Sequence, residues 1–425
     1  MTASGTRCIV HIDMDAFYAQ VEMKRLGLPR EAPLAVVQWS MLLAVNYAAR
    51  AEGVNRFDSA AEAANKCPHI RLVHVATYKE GESEWRYHDK VDVKTHKVSL
   101  DPYRTESAKI FKLFARMAKT VEKASIDEMY ADVTHEVDRR YALMPHSHPP
   151  RVDWATIVDG ASDNHVLGLD ALAPEATTVD DVRLAIAATI AKEVRTTLFN
   201  ELGYTSTAGI AHNKPLAKLV AGVHKPNQQT VIPAASVLDF LKTTPLTKIR
   251  FLGGKLGDEV VSTLNVQNAG DLWQFSEAEL AQKFGSQSGS WLFNICRGID
   301  DTKVDPKVMV KSMMAAKRLQ IKTADDAERW FHILAAELTQ RINDDHEFNG
   351  RWPKTFTVAG KKKEKICGAD TNQSACSCTI LFLALTRPGP SRARFRRSSR
   401  TRTCCRRRSR ESPSPSTSPR ASRCR

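Results

Sequence analysis

Two adjacent carboxylates interrupt an otherwise apolar run, Lys123-Ala124-Ser125-Ile126-Asp127-Glu128-Met129-Tyr130-Ala131-Asp132. Neighbouring side chains on a regular strand point to opposite faces, so Asp127 and Glu128 can share one target only where the strand ends or bends. Gathered carboxylates repel one another unless a cation lies between them, and hard oxygen donors of this kind suit Mg²⁺. Taken alone, this stretch would more often be an exposed acidic turn between two strands.

A second acidic motif near the N-terminus changes that balance. A β-rich apolar run meets Asp13 and Asp15 and then turns into a helical pattern, in Cys8-Ile9-Val10-His11-Ile12-Asp13-Met14-Asp15-Ala16-Phe17-Tyr18-Ala19-Gln20-Val21-Glu22. An acid at the end of one buried strand, beside a second strand with an acid pair, makes a cluster of three carboxylates. Such a cluster is typical of two-metal phosphoryl or nucleotidyl transfer, in which cations about 3.5–4 Å apart stabilise the attacking and leaving oxygens.

The motifs D-M-D-A-F-Y and A-S-I-D-E together resemble those of the Y-family translesion DNA polymerases, nearest the eta branch of fungal-like eukaryotes. The resemblance covers about residues 7–358. It implies an α+β multidomain fold, a right-hand polymerase with a ferredoxin-like palm sheet, small fingers, a helical thumb and a truncated little finger. It also implies nuclear DNA repair and damage tolerance, with template-directed transfer from a dNTP to a primer 3′-OH opposite damaged template.

The resemblance also divides the chain into domains. Residues 359–425 match nothing in the family, and their Arg/Ser/Pro-rich composition predicts disorder. A shifted reading frame or retained intron and a genuine splice isoform both remain open as explanations of this tail. The expected domains are the first palm strand (1–16), small helical fingers (17–78), the palm (79–240, with a surface loop inserted at 136–178), the thumb (241–305) and an incomplete little finger (306–358).

Charge is distributed very unevenly along the 425 residues. The net charge is +14, but residues 387–425 hold 14 Arg and a single acidic residue, so the rest of the chain is nearly neutral. DNA would therefore have to bind to local basic strips. No secretory signal is visible, and the apolar run Thr379 to Leu385 is too short to span a bilayer, so no membrane association is expected.

The family resemblance assigns roles at the acidic cluster. Asp13, Asp127 and Glu128 are expected to be catalytic and to hold two Mg²⁺ ions, with Mn²⁺ as an alternative and the Met14 carbonyl as a further ligand. Tyr18 is expected to lie against the incoming sugar and to exclude a 2′-OH, although an aromatic residue beside Phe17 would by default pack in a core.

Further residues are expected to bind the incoming nucleotide. Tyr47 and Arg50 lie three apart on one helix face, and Arg donates bidentate hydrogen bonds to phosphate. The resemblance assigns both to the triphosphate, assigns Lys225 to the β- and γ-phosphates, and assigns Gln38 and Arg56 to the nascent base pair. The family usually has a longer Lys/Gly-rich connection after Gln38, where this chain has only Trp-Ser-Met.

A glycine-rich turn predicts the duplex contact. The sequence I-R-F-L-G-G-K-L-G is a helix-hairpin-helix signature, in which Gly253, Gly254, Lys255 and Gly257 let backbone N–H groups face a DNA phosphate without reading sequence. The expected partners are primer-template DNA and dNTPs. A sliding clamp and ubiquitin are expected for the family, although no motif for either is visible.

Two other functions remain open. A truncated isoform could bind DNA with weak or no catalysis, and a nucleotidyl cyclase could share a palm-like sheet and two metals. The glycine-rich turn argues against a cyclase, because a cyclase needs no duplex grip. Periodicity and capping signals predict the following elements: strands at 7–13, 34–38, 42–47, 309–317 and 351–358, and helices at 15–26, 101–122, 179–202 and 324–343.

Overall fold

The fold is organised around one six-stranded sheet, here called the central sheet. Helices lie on both faces of this sheet, and three further units belong to the described part of the chain. The computed structural model describes residues 6–144, 152, 163–168, 178–306, 312–320, 323–362 and 377–386. In spatial order the central sheet consists of β7 (Thr120–Lys123), β8 (Glu128–Asp132), β1 (Ile9–Met14), β10 (Ser206–Ala211), β11 (Gln229–Val231) and β9 (Asn164–Val166).

Alternation along β1 separates two cores. Val10, Ile12 and Met14 are buried in one core, whereas Ile9 belongs to the other, as a period of two requires. The first core lies under α1 (Phe17–Leu26), α4 (Asp101–Met117), α5 (Thr134–Ala142) and α6 (Val179–Leu202), and the second lies under α7 (Lys214–Ala221).

Several predicted elements are confirmed. Helix α6 begins after Thr178, whose side chain accepts a hydrogen bond from the Asp181 N–H in a capping box. Helix α1 ends at Gly27, which adopts φ +63°. Helix α4 ends at Met117 rather than 122, because the β-branched pair Thr120-Val121 begins β7 instead.

The loop interpretation of residues 136–178 is wrong at two places. Helix α5 occupies the start, and β9 adds a parallel edge strand to β11 near the middle. Strand β9 has three residues, of which only Val166 is apolar. This is too short a pattern to reveal an edge strand from sequence. Residues 145–151, 153–162 and 169–177 lie outside the described part of the chain.

A second, smaller sheet contains the two strands predicted at 34–38 and 42–47, and the helical expectation for 58–78 is wrong for β4, which begins at Arg71. We call this the satellite sheet, and its order is β3-β2-β4. The predicted strand at 42–47 ends at Val45, because the Asn46 side chain accepts the Ala49 N–H and starts a helix. The unit comprises β2 (Leu34–Gln38), β3 (Met41–Val45), α2 (Tyr47–Ala51), α3 (Ala60–Lys66) and β4 (Arg71–His74), followed by the hairpin β5 (Thr77–Lys79) and β6 (His96–Val98).

A helical unit packs on the second face of the central sheet. Buried Leu252, Val260, Leu272 and Leu292 join α7 in one core. This helical unit contains α8 (Val237–Lys242), α9 (Lys255–Leu264), α10 (Glu277–Phe284) and α11 (Ser286–Ile295).

The last described unit, here called the C-terminal unit, is a three-stranded sheet against one long helix. The sheet order is β12-β14-β13, so the central strand comes last in the sequence. None of the helices in the described residues has the length and apolarity that a membrane span requires. The elements are β12 (Ser312–Gln320), α12 (Ala324–Asn349), β13 (Pro353–Lys362) and β14 (Ser377–Thr386).

The expectation of disorder over 359–425 is therefore wrong for 359–362 and 377–386. The run Thr379 to Leu385 was weighed only as a membrane span, yet an apolar run of this length is also typical of a buried strand. Its two partners precede it by tens of residues, so no local signal announces the pairing. The other residues of the tail lie outside the described chain.

The contact between α7 and the central sheet provides a stability test. A Cβ on Gly209 would lie 1.9 Å from the Ala217 carbonyl oxygen and 2.6 Å from the Ala221 nitrogen. Gly209→Ala should therefore lower the free energy of unfolding by about 1–3 kcal/mol, through overpacking against backbone that cannot move aside. Urea unfolding followed by circular dichroism measures this. Gly222→Ala is the control, since its Cβ has no neighbour nearer than 3.4 Å; equal stability of both variants would contradict the close approach.

Candidate active site

The register of β1 and β8 brings the acids together. Asp13 and Glu128 are cross-strand partners, and each lies on the same face as the second-core residues of its strand. Strand β8 begins at Glu128, so Asp127 occupies the preceding turn, and its carbonyl accepts the Met14 N–H at 3.0 Å. The prediction that the strand ends at the acid pair is confirmed.

Ser125 shapes the turn that carries the acid pair. Its hydroxyl donates to Asp127 Oδ1 at 2.5 Å and accepts the backbone N–H groups of Asp127 and Glu128 at 3.2 and 3.0 Å. These three bonds fold the turn around one oxygen. The two neighbouring carboxylates are thereby held near one end of the central sheet instead of on opposite faces of an extended strand.

Two lysines face the carboxylates. Lys225 Nζ lies 2.6 Å from Asp13 Oδ2, and Lys218 on α7 donates to Glu128 Oε1. Opposite charges at this distance favour the ionised carboxylates. The lysines therefore neutralise part of the negative charge that the sheet register concentrates here.

The pKa of Asp13 is raised in spite of the neighbouring lysine. Burial raises the pKa of Asp13 to about 6, the Lys225 ammonium opposes the rise, and the Glu128 and Asp127 carboxylates add to it. A buried carboxylate with a raised pKa beside two others is a site that a further cation would stabilise.

Asp15, the second acid of the N-terminal motif, had no role assigned to it from sequence, and it anchors the loop that carries Lys225. Its carboxylate accepts the Thr207 hydroxyl at 2.7 Å and the Asn227 N–H at 2.9 Å. Asn227 has φ +55° and lies two residues beyond Lys225. The D-x-D spacing and the K-P-N string were both visible in the sequence, but their mutual contact joins residues more than 200 positions apart.

The structure also places Tyr47 and Arg50 beside the acids. The Arg50 guanidinium lies 4.7 Å from the centre of the Tyr47 ring, and its Nε donates to the Val45 carbonyl at 3.1 Å. Burial raises the pKa of Tyr47 to about 12, with the Asp15 and Asp13 carboxylates adding to the rise. One phenol and one exposed guanidinium thus border the acidic cluster.

Tyr18 lies at the same end of the sheet. Its ring stacks on Tyr103 with 4.1 Å between ring centres, and the Tyr103 hydroxyl donates to Glu22 at 2.7 Å. The pKa of Tyr18 is raised, first by burial and then by the Asp127 carboxylate, while the Arg104 and Arg56 guanidinium groups lower it. Tyr18 is therefore within electrostatic reach of both the acids and Arg56.

Gln38 is less closely connected to this group. It is half-buried at the end of β2 and pairs with Met41 across a two-residue turn. Among the hydrogen bonds of the described residues, none joins the Gln38 side chain to Asp13, Asp127 or Glu128. The structure brings the acids, Tyr18, Tyr47, Arg50 and Lys225 together, but it does not by itself bring Gln38 to them.

The glycine-rich turn lies at the start of α9. Gly253, Gly254 and Lys255 are exposed, and no side chain caps the first N–H groups of the helix. A Cβ on Gly257 would lie 1.8 Å from the Leu252 carbonyl oxygen, so only glycine permits this hairpin to close. The exposed amides form the kind of surface that can contact a phosphate.

The donor set fits a hard divalent cation. No group of three or more His, Cys, Asp or Glu within the described ranges is already arranged as a metal site, and lysines pair with two of the carboxylates. The available donors are all oxygen atoms, which suits Mg²⁺ and Mn²⁺ and not the softer metals. Asp13, Asp127 and Glu128 are thus the residues that could hold such an ion.

Comparison with known proteins defines the class. A family model described as the impB/mucB/samB family matches residues 12–222, and one described as the DNApol eta/Rev1 HhH motif matches residues 244–299. The chain belongs to the Y family of DNA polymerases.

Curated relatives point to one branch of that family. The chain is 33% identical to DNA polymerase eta of Saccharomyces cerevisiae over 85% of this chain and 68% of that protein. It is 35% identical to DNA polymerase eta of Arabidopsis thaliana, over 84% and 53%. It is 39% identical to the N-acetyltransferase eso1 of Schizosaccharomyces pombe, over 84% and 42%. The chain spans about half the length of most of these relatives.

The raised pKa of Asp13 predicts a pH-dependent stability. A carboxyl whose pKa is near 6 in the folded chain and lower when unfolded weakens the fold as pH rises through 6. Asp13→Asn should therefore make the metal-free protein more stable at pH 8, by about 1–3 kcal/mol, and change it little at pH 4. Urea unfolding in a chelator at both pH values measures the difference.

The control for this variant is Asp239→Asn, an exposed position on α8. It removes the same charge without removing a buried carboxylate, so its stability should stay near that of the wild type at both pH values. Lower stability of Asp13→Asn at pH 8 would mean that the pairing with Lys225 outweighs the cost of burying Asp13.

Proposed function

We propose that this protein is a template-directed DNA polymerase of the translesion type, which transfers a nucleotidyl group from a dNTP to a primer 3′-OH opposite damaged template. The observation that carries the proposal is the meeting of Asp13, Asp127 and Glu128 at one end of the central sheet. Family membership and the relatives named DNA polymerase eta support it. The proposal includes a role in nuclear DNA repair and damage tolerance, as the resemblance to this family implies.

The units then take the roles of a right hand. The central sheet is the palm, the satellite sheet with α2 and α3 is the fingers, the helical unit is the thumb and the C-terminal unit is the little finger. The match of the HhH model to residues 244–299 supports the thumb assignment and weighs against a nucleotidyl cyclase, which needs no duplex grip.

Asp13, Asp127 and Glu128, with the Met14 carbonyl, would hold two Mg²⁺ ions, or Mn²⁺ in their place. When bound, such ions stabilise charge on the attacking and leaving oxygens. The chain's own contribution is to hold three carboxylates in a fixed array through the β1–β8 register and the Ser125 hydroxyl. Preorganised charges avoid reorganisation during the reaction.

Lys225 would change partners when the nucleotide binds. It pairs with Asp13 at 2.6 Å in the DNA-free chain, and a cation on Asp13 would displace its ammonium. An incoming triphosphate supplies the alternative anion, so Lys225 would move to the β- and γ-phosphates. Tyr47 and Arg50 would bind the same triphosphate from the fingers side, where phenol and guanidinium donors already lie together.

Tyr18 would test the sugar of the incoming nucleotide. Its ring cannot retreat into the core, because the fully buried Tyr103 stacks behind it. A 2′-OH on the sugar would therefore collide with the ring, whereas a 2′-hydrogen would not. Arg56 and Gln38 would contact the nascent base pair, and Arg56 lies within electrostatic reach of Tyr18.

The thumb would hold duplex DNA through the exposed Gly253, Gly254 and Lys255, while the buried Gly257 closes the hairpin that presents them. Such contacts carry no sequence preference, which suits an enzyme that must act on any template. A sliding clamp and ubiquitin belong to the same proposal as partners for recruitment.

Replacing one metal-binding acid should separate catalysis from DNA binding. Asp127→Ala is expected to reduce nucleotide insertion by at least about 10³-fold, because metal-dependent charge stabilisation is lost. Duplex affinity should stay near that of the wild type. Primer extension with Mg²⁺ and fluorescence anisotropy measure the two properties. Asp239→Ala is the control, and insertion at the wild-type rate by Asp127→Ala would refute the metal-binding assignment.

Removing the Tyr18 ring should relax sugar discrimination. Tyr18→Ala is expected to raise the ratio of rNTP to dNTP incorporation by roughly 10-fold to 10³-fold, because nothing then occludes the 2′-OH. Tyr18→Phe keeps the ring and should keep the ratio. Single-nucleotide insertion kinetics with both substrates give the result, and an unchanged ratio for the alanine variant would show that Tyr18 is only a packing residue.

A further inference from the structure

The two-residue turn after Gln38 is held from two sides, by His74 of β4 within the satellite sheet and by Lys317 of β12 in the C-terminal unit. Trp39 adopts φ +61°, a conformation that is strained for a bulky residue. Its N–H donates to His74 Nε2 at 3.0 Å, while His74 Nδ1 donates to the Val75 carbonyl at 2.7 Å. His74 is therefore the Nδ1–H tautomer, and it fixes one side of the turn.

Lys317 on β12 fixes the other side. Its ammonium lies 4.7 Å from the centre of the Trp39 ring and 4.9 Å from that of Trp330. It also donates to the carbonyls of Val93 and His96, both at 2.7 Å. A desolvated cation between two indole faces is attracted more strongly than one in water.

The surroundings of Lys317 show that it is placed there at a cost. Burial lowers the pKa of Lys317 to about 8, with the Lys97 ammonium adding to the effect. A methionine would fill the same space without the cost of burying a charge. The charge of Lys317 therefore matters for its contacts with the two indole rings and the two carbonyls.

Other contacts dock the same two parts of the chain. Lys97 lies 3.1 Å from Glu337, and both side chains are buried. Tyr78 packs in one core with Trp330 and Leu334 of α12. These contacts hold the C-terminal unit against the satellite-sheet side of the chain in the absence of DNA. Within this interface, Lys317 is the residue that contacts the turn after Gln38.

We propose that Trp39, Lys317 and Trp330 form a bracket through which the C-terminal unit positions the turn that carries Gln38. Trp39 and Lys317 are positioning residues in this role, because they act on the base-pair pocket through Gln38. Gln38 is bonded to Trp39 and ends the strand, so a shift of the Trp39 backbone moves Gln38 with it. The short turn has no slack to absorb such a shift, unlike a longer connection. The role of Gln38 itself rests on the proposed function.

Hydrogen exchange in the full-length, DNA-free protein tests the bracket without any assay of activity. Lys317→Met keeps the length and apolar stem of the side chain and removes its charge and both hydrogen bonds. We expect the amides of residues 38–41 to exchange about tenfold faster in this variant, as when local opening becomes easier. Lys354→Met, an exposed lysine on β13, should leave them unchanged. Unchanged exchange in Lys317→Met would overturn the bracket.

A double-mutant cycle tests the effect on Gln38. Trp39→Leu and Lys317→Met should each lower kcat/KM for correct insertion on undamaged template by roughly three- to tenfold, and the double variant should be no worse than either. Thermal melting checks that all three fold. If the decreases in kcat/KM multiply in the double variant, the two residues act independently and the proposed positioning of Gln38 is overturned. Faster amide exchange without any decrease in kcat/KM would overturn it as well.

The two proposals fail in different ways. A wild-type protein that inserts no nucleotide would refute the proposed function, and the exchange experiment alone would then decide the bracket. A wild-type protein that inserts normally, with additive losses in the cycle, would leave the polymerase function intact and remove the coupling between the C-terminal unit and Gln38.

Discussion

The pairing of β1 with β8 is the constraint on which the site depends. A slip of one residue would turn Asp13 into the first core and bring Met14 out to the acid pair, because side chains alternate with a period of two. The burial of Val10, Ile12 and Met14 forbids that slip. The apolar side of the strand thus fixes the position of the charged side, so core packing determines the geometry of the acidic cluster.

That register concentrates negative charge, and two lysine side chains on flexible stems compensate for part of it. Lys218 comes from α7 and Lys225 from a loop tied down by Asp15. Lysines suit this role because an ammonium on a flexible stem can leave when a better cation arrives, whereas a bidentate arginine would resist displacement. The raised pKa of Asp13 fits a compensation that is only partial. The acidic cluster therefore carries its own counter-cations in the metal-free chain.

Sequence predicted what is local and what is carried by motifs. The capping of α6 by Thr178 and the turn before Glu128 each depend on a few neighbouring residues, and both were predictable. The ion pair between Lys225 and Asp13 and the insertion of β14 between β12 and β13 depend on partners far along the chain. Such contacts leave no periodic signal, and β14 even lies in a segment whose composition pointed to disorder.

The departure from the family after Gln38 is where local and distant constraints meet. A short turn alone would leave Gln38 at the open end of the satellite sheet, where β2 ends and β3 begins. Because Trp39 packs against Lys317, the position of this turn depends on a unit nearly 280 residues later in the chain. Buried contacts of this kind are screened by salt far less than phosphate contacts are. Rising ionic strength should then release duplex DNA from the chain before it releases the C-terminal unit from the turn, so the pocket would keep its shape between binding events.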